Sequence, residues 1–175
     1  MTRHIDCGFA PYIYEDYNVD HWINEYYDYT ERRWVAIDAQ IQDNTRSHDK
    51  NVNLYDIKEE FEYPASLWLK ARDGNLTDLE KYLKHTTYAG MEVLSHALFL
   101  DFNALMNVEL PYGYNPHFVY GENFNKLSEH DLSEIDDLAT LMLEPDKNFY
   151  KLKNIWETNE KFRLLKSSSY NPYIQ

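Results

Sequence analysis

Three side chains near the start of the chain have types suited to thiol chemistry: Cys7, His21 and Asp38. A carboxylate beside a histidine accepts one ring N–H, which fixes the tautomer, and it stabilises the imidazolium. The free ring nitrogen can then act as a general base toward a thiol. Cys7 is the only cysteine, so it is the only thiol on offer. A His–Asp pair also serves as a structural hydrogen bond with no catalysis, and spacing alone leaves both readings open.

Two segments must bring the pair together. His21 to Tyr27 and Arg33 to Ala39 are rich in aromatic and β-branched residues, and a mostly polar stretch, Asp28 to Arg32, joins them. This is a hairpin pattern, although no Asn-Gly or Asp-Gly fixes the turn. A turn centred between Tyr29 and Thr30 sets Tyr26 opposite Arg33, Asn24 opposite Val35 and Trp22 opposite Ile37. On the other face Glu25 meets Trp34, Ile23 meets Ala36, and His21 meets Asp38. Facing Cβ atoms lie ~4.5–5.5 Å apart, within reach of an imidazole–carboxylate bond. A slip of one residue would put the two on opposite faces.

Before the hairpin, residues 8–14 read as an aromatic strand, with Pro11 at an edge or bulge. After it, Gln42 to Asn53 is a polar loop. The pattern then turns helical. Ile57, Phe61, Trp68 and Leu69 are apolar among charges, and Pro64 opens a helix that ends near Gly74. Leu76, Leu79, Tyr82 and Leu83 follow helical spacing, with Asn75 or Thr77 as the cap. Glu92 to Val108 has the densest apolar face and is expected to be the central helix. Pro111, Gly113 and Pro116 break the chain. Ser128 and Asp131 start another helix, which Pro145 stops. Phe149, Leu152, Ile155 and Trp156 mark a last one, and the tail from Ser167 is polar.

Composition narrows the function. The net charge of −13 disfavours nucleic-acid binding, because an acidic chain repels phosphates. The short basic run Lys161 to Lys166 suits a helix end. No apolar run approaches the ~20 residues of a membrane span, and no signal pattern opens the chain, so a cytoplasmic location is expected. One cysteine excludes an intrachain disulfide and a four-cysteine zinc site. His85, His96 and His117, with Asp101 or Glu122, lack metal-ligand spacing, and the acidic groups around Glu60 and Asp136 lack the pattern of a calcium loop. With no Gly-rich phosphate loop either, no cofactor and no metal are expected. Trp22 and Trp34 can wall a substrate groove beside His21 or pack in the core. Glu25 can support Trp34, bind a substrate amine or face solvent.

Asp20-His21-Trp22-Ile23-Asn24-Glu25-Tyr26-Tyr27 followed by Arg33-Trp34-Val35-Ala36-Ile37-Asp38-Ala39-Gln40 resembles the His and Asp strands of bacterial transglutaminase-like proteins, and Cys7-Gly8-Phe9-Ala10 resembles the strand before them. The likeness continues more weakly through Tyr55-Asp56-Ile57, the helix around Leu94 to Glu109, and Asp136 to Pro145. It implies a papain-like Cys-His-Asp arrangement, with His21 as base, Asp38 as orienting carboxylate and Gln40 hydrogen-bonding in the site. The family's nucleophile lies at the N-terminus of a helix ahead of the Cys-Gly-Phe-Ala strand, where the dipole activates a thiol. Here only Met1 to Asp6 precede that strand, and Cys7 matches a strand residue, so it is expected to be a packed thiol.

The expected fold is α+β: a partial papain-like antiparallel sheet in residues 1–53, a helical segment in 54–166 packed on it, and a loose tail in 167–175, all one domain. Loss of the N-terminal helix would leave a sheet face bare, which implies self-association or a partner chain. Three functions follow. The first is a transglutaminase-like protein acting on peptide or amide substrates, inactive or incomplete in this chain. The second is a non-catalytic binding or regulatory module that keeps the hairpin groove. The third is a working thiol enzyme using Cys7.

Overall fold

The computed structural model describes residues 4–41, 51–82, 90–108, 116–119 and 121–163. Three strands, β1 (His4–Ala10), β2 (Val19–Asp28) and β3 (Arg33–Ile37), form one antiparallel sheet in the order β1-β2-β3. Among the described residues four α-helices follow: α1 (Pro64–Arg72), α2 (Met91–Leu105), α3 (Glu129–Met142) and α4 (Pro145–Thr158). The architecture is α+β. The polar loop at 42–50, Leu83, His85, Pro111, Gly113 and the tail from Ser167 lie outside the described residues.

β1 ends where Pro11 removes a backbone donor. Ala10 to Ile13 is a turn, with Ile13 N–H donating to the Ala10 carbonyl at 3.4 Å. The strand expected over 8–14 is therefore shifted toward the N-terminus. The β2–β3 turn centres between Thr30 and Glu31, one residue later than the sequence suggests. Asp28 Oδ1 accepts the Thr30 and Glu31 amides at 2.7 and 3.1 Å, and Arg32 takes the left-handed conformation with φ 53°. Asn24 consequently faces Ile37, Glu25 faces Ala36, Tyr26 faces Val35 and Tyr27 faces Trp34. The slip is two residues, so every side chain keeps its expected face.

Both faces of the sheet are covered. On one, Cys7 and Phe9 join a core built by α1, α2 and α3. α2 packs on β1 and is buried nearly all round, as a central helix must be. On the other face Ala10, Ile23 and Ala36 pack under Ile41, Val52, Leu54, Ile57 and Phe61, which sit in turns rather than a helix. Among the described residues, these side chains cover the sheet face that carries Ala10, Ile23 and Ala36.

The outer edge of β1 is also closed. Phe9 and Glu62 exchange backbone hydrogen bonds at 3.0 Å each way, and the Cys7 amide donates to Asp101 Oδ1 on α2 at 3.0 Å. Two helical expectations change. Where a helix is expected over Leu76 to Leu83, the described residues, which end at Tyr82, form a 3-10 turn at Leu79–Lys81. Pro145 does more than stop α3, which reaches Met142; it opens α4 from its first turn, where a missing N–H costs nothing. Ser128 and Asp131 form a full capping box at the start of α3.

Gly8 permits the close approach of the cover to the sheet. A Cβ there would come within 2.6 Å of both the Glu62 carbonyl oxygen and the Phe61 ring. Gly8→Ala is expected to destabilise the fold by about 1–3 kcal/mol through overpacking. Urea unfolding measures this, and an unchanged midpoint would refute the contact.

Candidate active site

His21 stands near the start of β2, opposite Gly8 of β1. Strand alternation turns its ring to the turn-covered face, where it is 5% exposed. Asp38 follows β3 directly. Continuing the observed register sets it level with Ile23, a diagonal neighbour of His21 on the same face. His21 Nε2 and Asp38 Oδ2 lie 2.7 Å apart.

The Asp38 carboxylate is held at both oxygens. Oδ2 also accepts the Tyr12 hydroxyl at 2.8 Å, while Oδ1 accepts the backbone amides of Gln40 and Ile41 at 3.0 and 3.1 Å. Its own amide donates to the Leu54 carbonyl at 2.9 Å. Burial pushes the carboxyl up. The hydrogen bond and charge of His21, the Tyr12 hydroxyl and the Ile41 amide outweigh it, so Asp38 titrates below the usual carboxylate range. Tyr12 is pushed far above the ordinary phenol range, first by burial and then by the Asp38 charge, and remains a neutral donor.

These contacts form one hydrogen-bonded network of Tyr12, Asp38 and His21. When the ring carries one proton, donation from Nε2–H to an ionised Asp38 leaves Nδ1 with the free lone pair. Among the described residues Nδ1 makes no hydrogen bond. The unit can accept a proton at Nδ1 and stabilise the resulting imidazolium.

Cys7 is not part of it. Cys7 faces Trp22 rather than His21, so its side chain lies on the opposite face of the sheet. It is 0% exposed. Burial first, then the negative charges of Asp101, Asp20 and Asp6, push the thiol well above its usual range. Such a thiol stays protonated and unreactive.

The other candidates also disperse. Trp22 points to the helical face, where it packs against the core. Trp34 shares the His21 face but lies level with Tyr27, six residues along β2 from His21; its Nε1–H donates to Asp146 of α4 at 2.9 Å. Neither tryptophan walls His21. Gln40 contributes its backbone amide, while its side chain is exposed. Glu25 accepts from the Tyr63 hydroxyl at 3.1 Å and lies 3.6 Å from Lys58 Nζ, rather than supporting Trp34. Among the described residues no group of three or more His, Cys, Asp or Glu side chains is placed to hold a metal ion. No helix among them is long and apolar enough to cross a membrane.

Tyr12 is the site residue that sequence reasoning misses. Its only sequence signal is general: a tyrosine in an apolar stretch needs a partner for its hydroxyl.

Fold and site together define an α+β protein with a buried Tyr–Asp–His network on one face of a small antiparallel sheet. No family model, curated protein or solved structure matches the chain.

Two outcomes are expected. Asp38 has a depressed folded pKa, so its contribution to stability is fully present above the unfolded value of ~3.9 and is lost as pH falls through the folded value. Asp38→Asn should therefore be less stable than wild type at pH 6, and the gap in urea midpoint should narrow as pH falls below ~3.9. Parallel curves would show that the carboxylate charge is not what the network holds. Cys7 should react with iodoacetamide at least ~100-fold more slowly in native buffer than in urea. Native labelling at the rate of a free thiol would restore Cys7 as a nucleophile.

Proposed function

We propose that the chain is a transglutaminase-like protein in which His21 and Asp38 are the acid–base half of a thiol acyl-transfer or amide-hydrolysis site. The observation that carries this reading is the 2.7 Å contact between His21 Nε2 and Asp38 Oδ2, which leaves Nδ1 open to receive a proton. In such a site the base takes the thiol proton as the sulfur attacks an amide carbonyl, then gives it to the leaving amine. Water or an amine would then take the acyl group from sulfur. The hairpin that carries both residues on one sheet face agrees with the papain-like arrangement implied by residues 20–27 and 33–40. Cys7 does not supply the sulfur, so the activity is absent or incomplete in this chain. A cytoplasmic setting suits an unpaired thiol.

A second reading, a non-catalytic binding or regulatory module, has its own support. Each Asp38 oxygen already takes two hydrogen bonds, and His21 is nearly fully buried. The network thereby ties the turn after β1, strand β2 and the segment after β3 into one unit whatever its chemistry.

The deciding experiment produces the chain together with whatever open frame is encoded directly upstream of Met1. Transfer of a fluorescent primary amine to a glutamine-containing peptide, and ammonia release, are then measured. The enzyme reading expects product that depends on a cysteine in the upstream segment and falls at least ~100-fold in His21→Ala. A closed upstream frame, no product, or product indifferent to His21 would leave the binding module.

A further inference from the structure

The geometry points to Tyr12 as a positioning residue that sets the basicity of His21 through Asp38. This deepens the reading of His21 as a general base and rests on it. The hydroxyl of Tyr12 and Nε2 of His21 converge on one atom, Asp38 Oδ2, at 2.8 and 2.7 Å. A carboxylate oxygen offers about two lone-pair sites, and these two donors occupy both. The Gln40 and Ile41 amides hold the other oxygen. The carboxylate can therefore neither rotate away from the ring nor concentrate its charge on it.

The charge on Oδ2 is shared between a neutral donor and a basic one. Without the hydroxyl, more of that charge would fall on His21 and hold its imidazolium more tightly. The proton would then be harder to pass on to a leaving amine. Tyr12 thus keeps the pair from becoming a static ion pair.

Gly8, opposite His21 on β1, has no side chain, and the cover above it contributes the apolar ring of Phe61. Asp20, the preceding residue on β2, is felt by His21 through charge alone and points to the other face. Glu60, from the turn-rich cover, lies within electrostatic reach of Tyr12. Tyr12 itself is 3% exposed and is delivered by the turn that Pro11 opens.

The test is an NMR pH titration of the His21 ring in the full chain with labelled histidine, comparing wild type, Tyr12→Phe, Asp38→Asn and the double variant. His21→Gln identifies the signal among the seven histidines. Tyr12→Phe is expected to move the His21 midpoint upward by roughly half a pH unit, a fraction of the ~1–3 units that a whole neighbouring charge supplies. Asp38→Asn is expected to move it downward, and in that background the effect of Tyr12→Phe should vanish. A purely structural role would lower stability and leave the midpoint in place. An unchanged midpoint, or an equal shift in both backgrounds, would overturn the proposal. Should Tyr12→Phe fail to fold, 3-fluorotyrosine at position 12 is a stronger donor of the same shape; a downward midpoint supports the proposal and an unmoved one overturns it. These readouts concern the ring and require no turnover, so their failure is distinct from a failure of the extended chain to transfer an acyl group.

Discussion

A sheet of three strands has two faces, and the parity of each residue decides which chemistry it can join. Gly8 faces His21 and Cys7 faces Trp22, so the residues that would compose a Cys-His pair are divided by the sheet itself. No rotamer change crosses that division, because successive side chains point to opposite sides. The same parity unites His21 with Asp38. The packing of the rest of the chain respects the separation. Helices α1, α2 and α3 complete the core around Cys7 and Phe9, and Ile41, Val52, Leu54, Ile57 and Phe61 close over Ile23 and Ala36.

Asp38 is the junction on the second face. It joins a turn, a strand and the segment leaving the sheet, and its four acceptor contacts come from four different residues. An ionised carboxylate buried without such partners would cost several kcal/mol. With them, its proton is held more weakly than in solution despite burial. Removing any one donor would unbalance the others, since two of them share a single oxygen. The site is thus coupled to the local fold.

The elements that position the site were largely legible in the sequence, and the misses have physical causes. Alternating aromatic and β-branched residues marked β2 and β3, and the apolar density of 92–108 marked α2. The turn was misplaced because Asp28 caps the next amides with its side chain and Arg32 adopts a left-handed conformation. Neither is announced by a glycine. The resulting slip was two residues, so the His21–Asp38 inference survived although the pairing it named did not. Pro145 was ambiguous because proline both ends one helix and suits the first turn of the next. The roles of Trp22, Trp34 and Gln40 in a groove were not legible, since they depend on the far-off Asp146 and on which parts of 51–63 cover the sheet. Tyr12 was invisible for the same reason: its bond to Asp38 spans 26 residues and arises from turn geometry, with no period to betray it.

The asymmetry between the two covers explains why the polar network lies where it does. A helix interior spends its backbone amides on its own carbonyls, so the face under α2 offers few donors to a buried carboxylate. That face accordingly holds Cys7, Phe9 and partly buried Trp22, and its notable polar link runs the other way, from the Cys7 amide at the strand edge to the Asp101 side chain. The opposite cover is made of turns, whose amides are not all committed. Gln40 and Ile41 can therefore give theirs to Asp38, and a charged group becomes tolerable beside an apolar cluster. A base that must keep its carboxylate ionised under burial requires such a source of donors. The turn-covered face meets that requirement through the Gln40 and Ile41 amides.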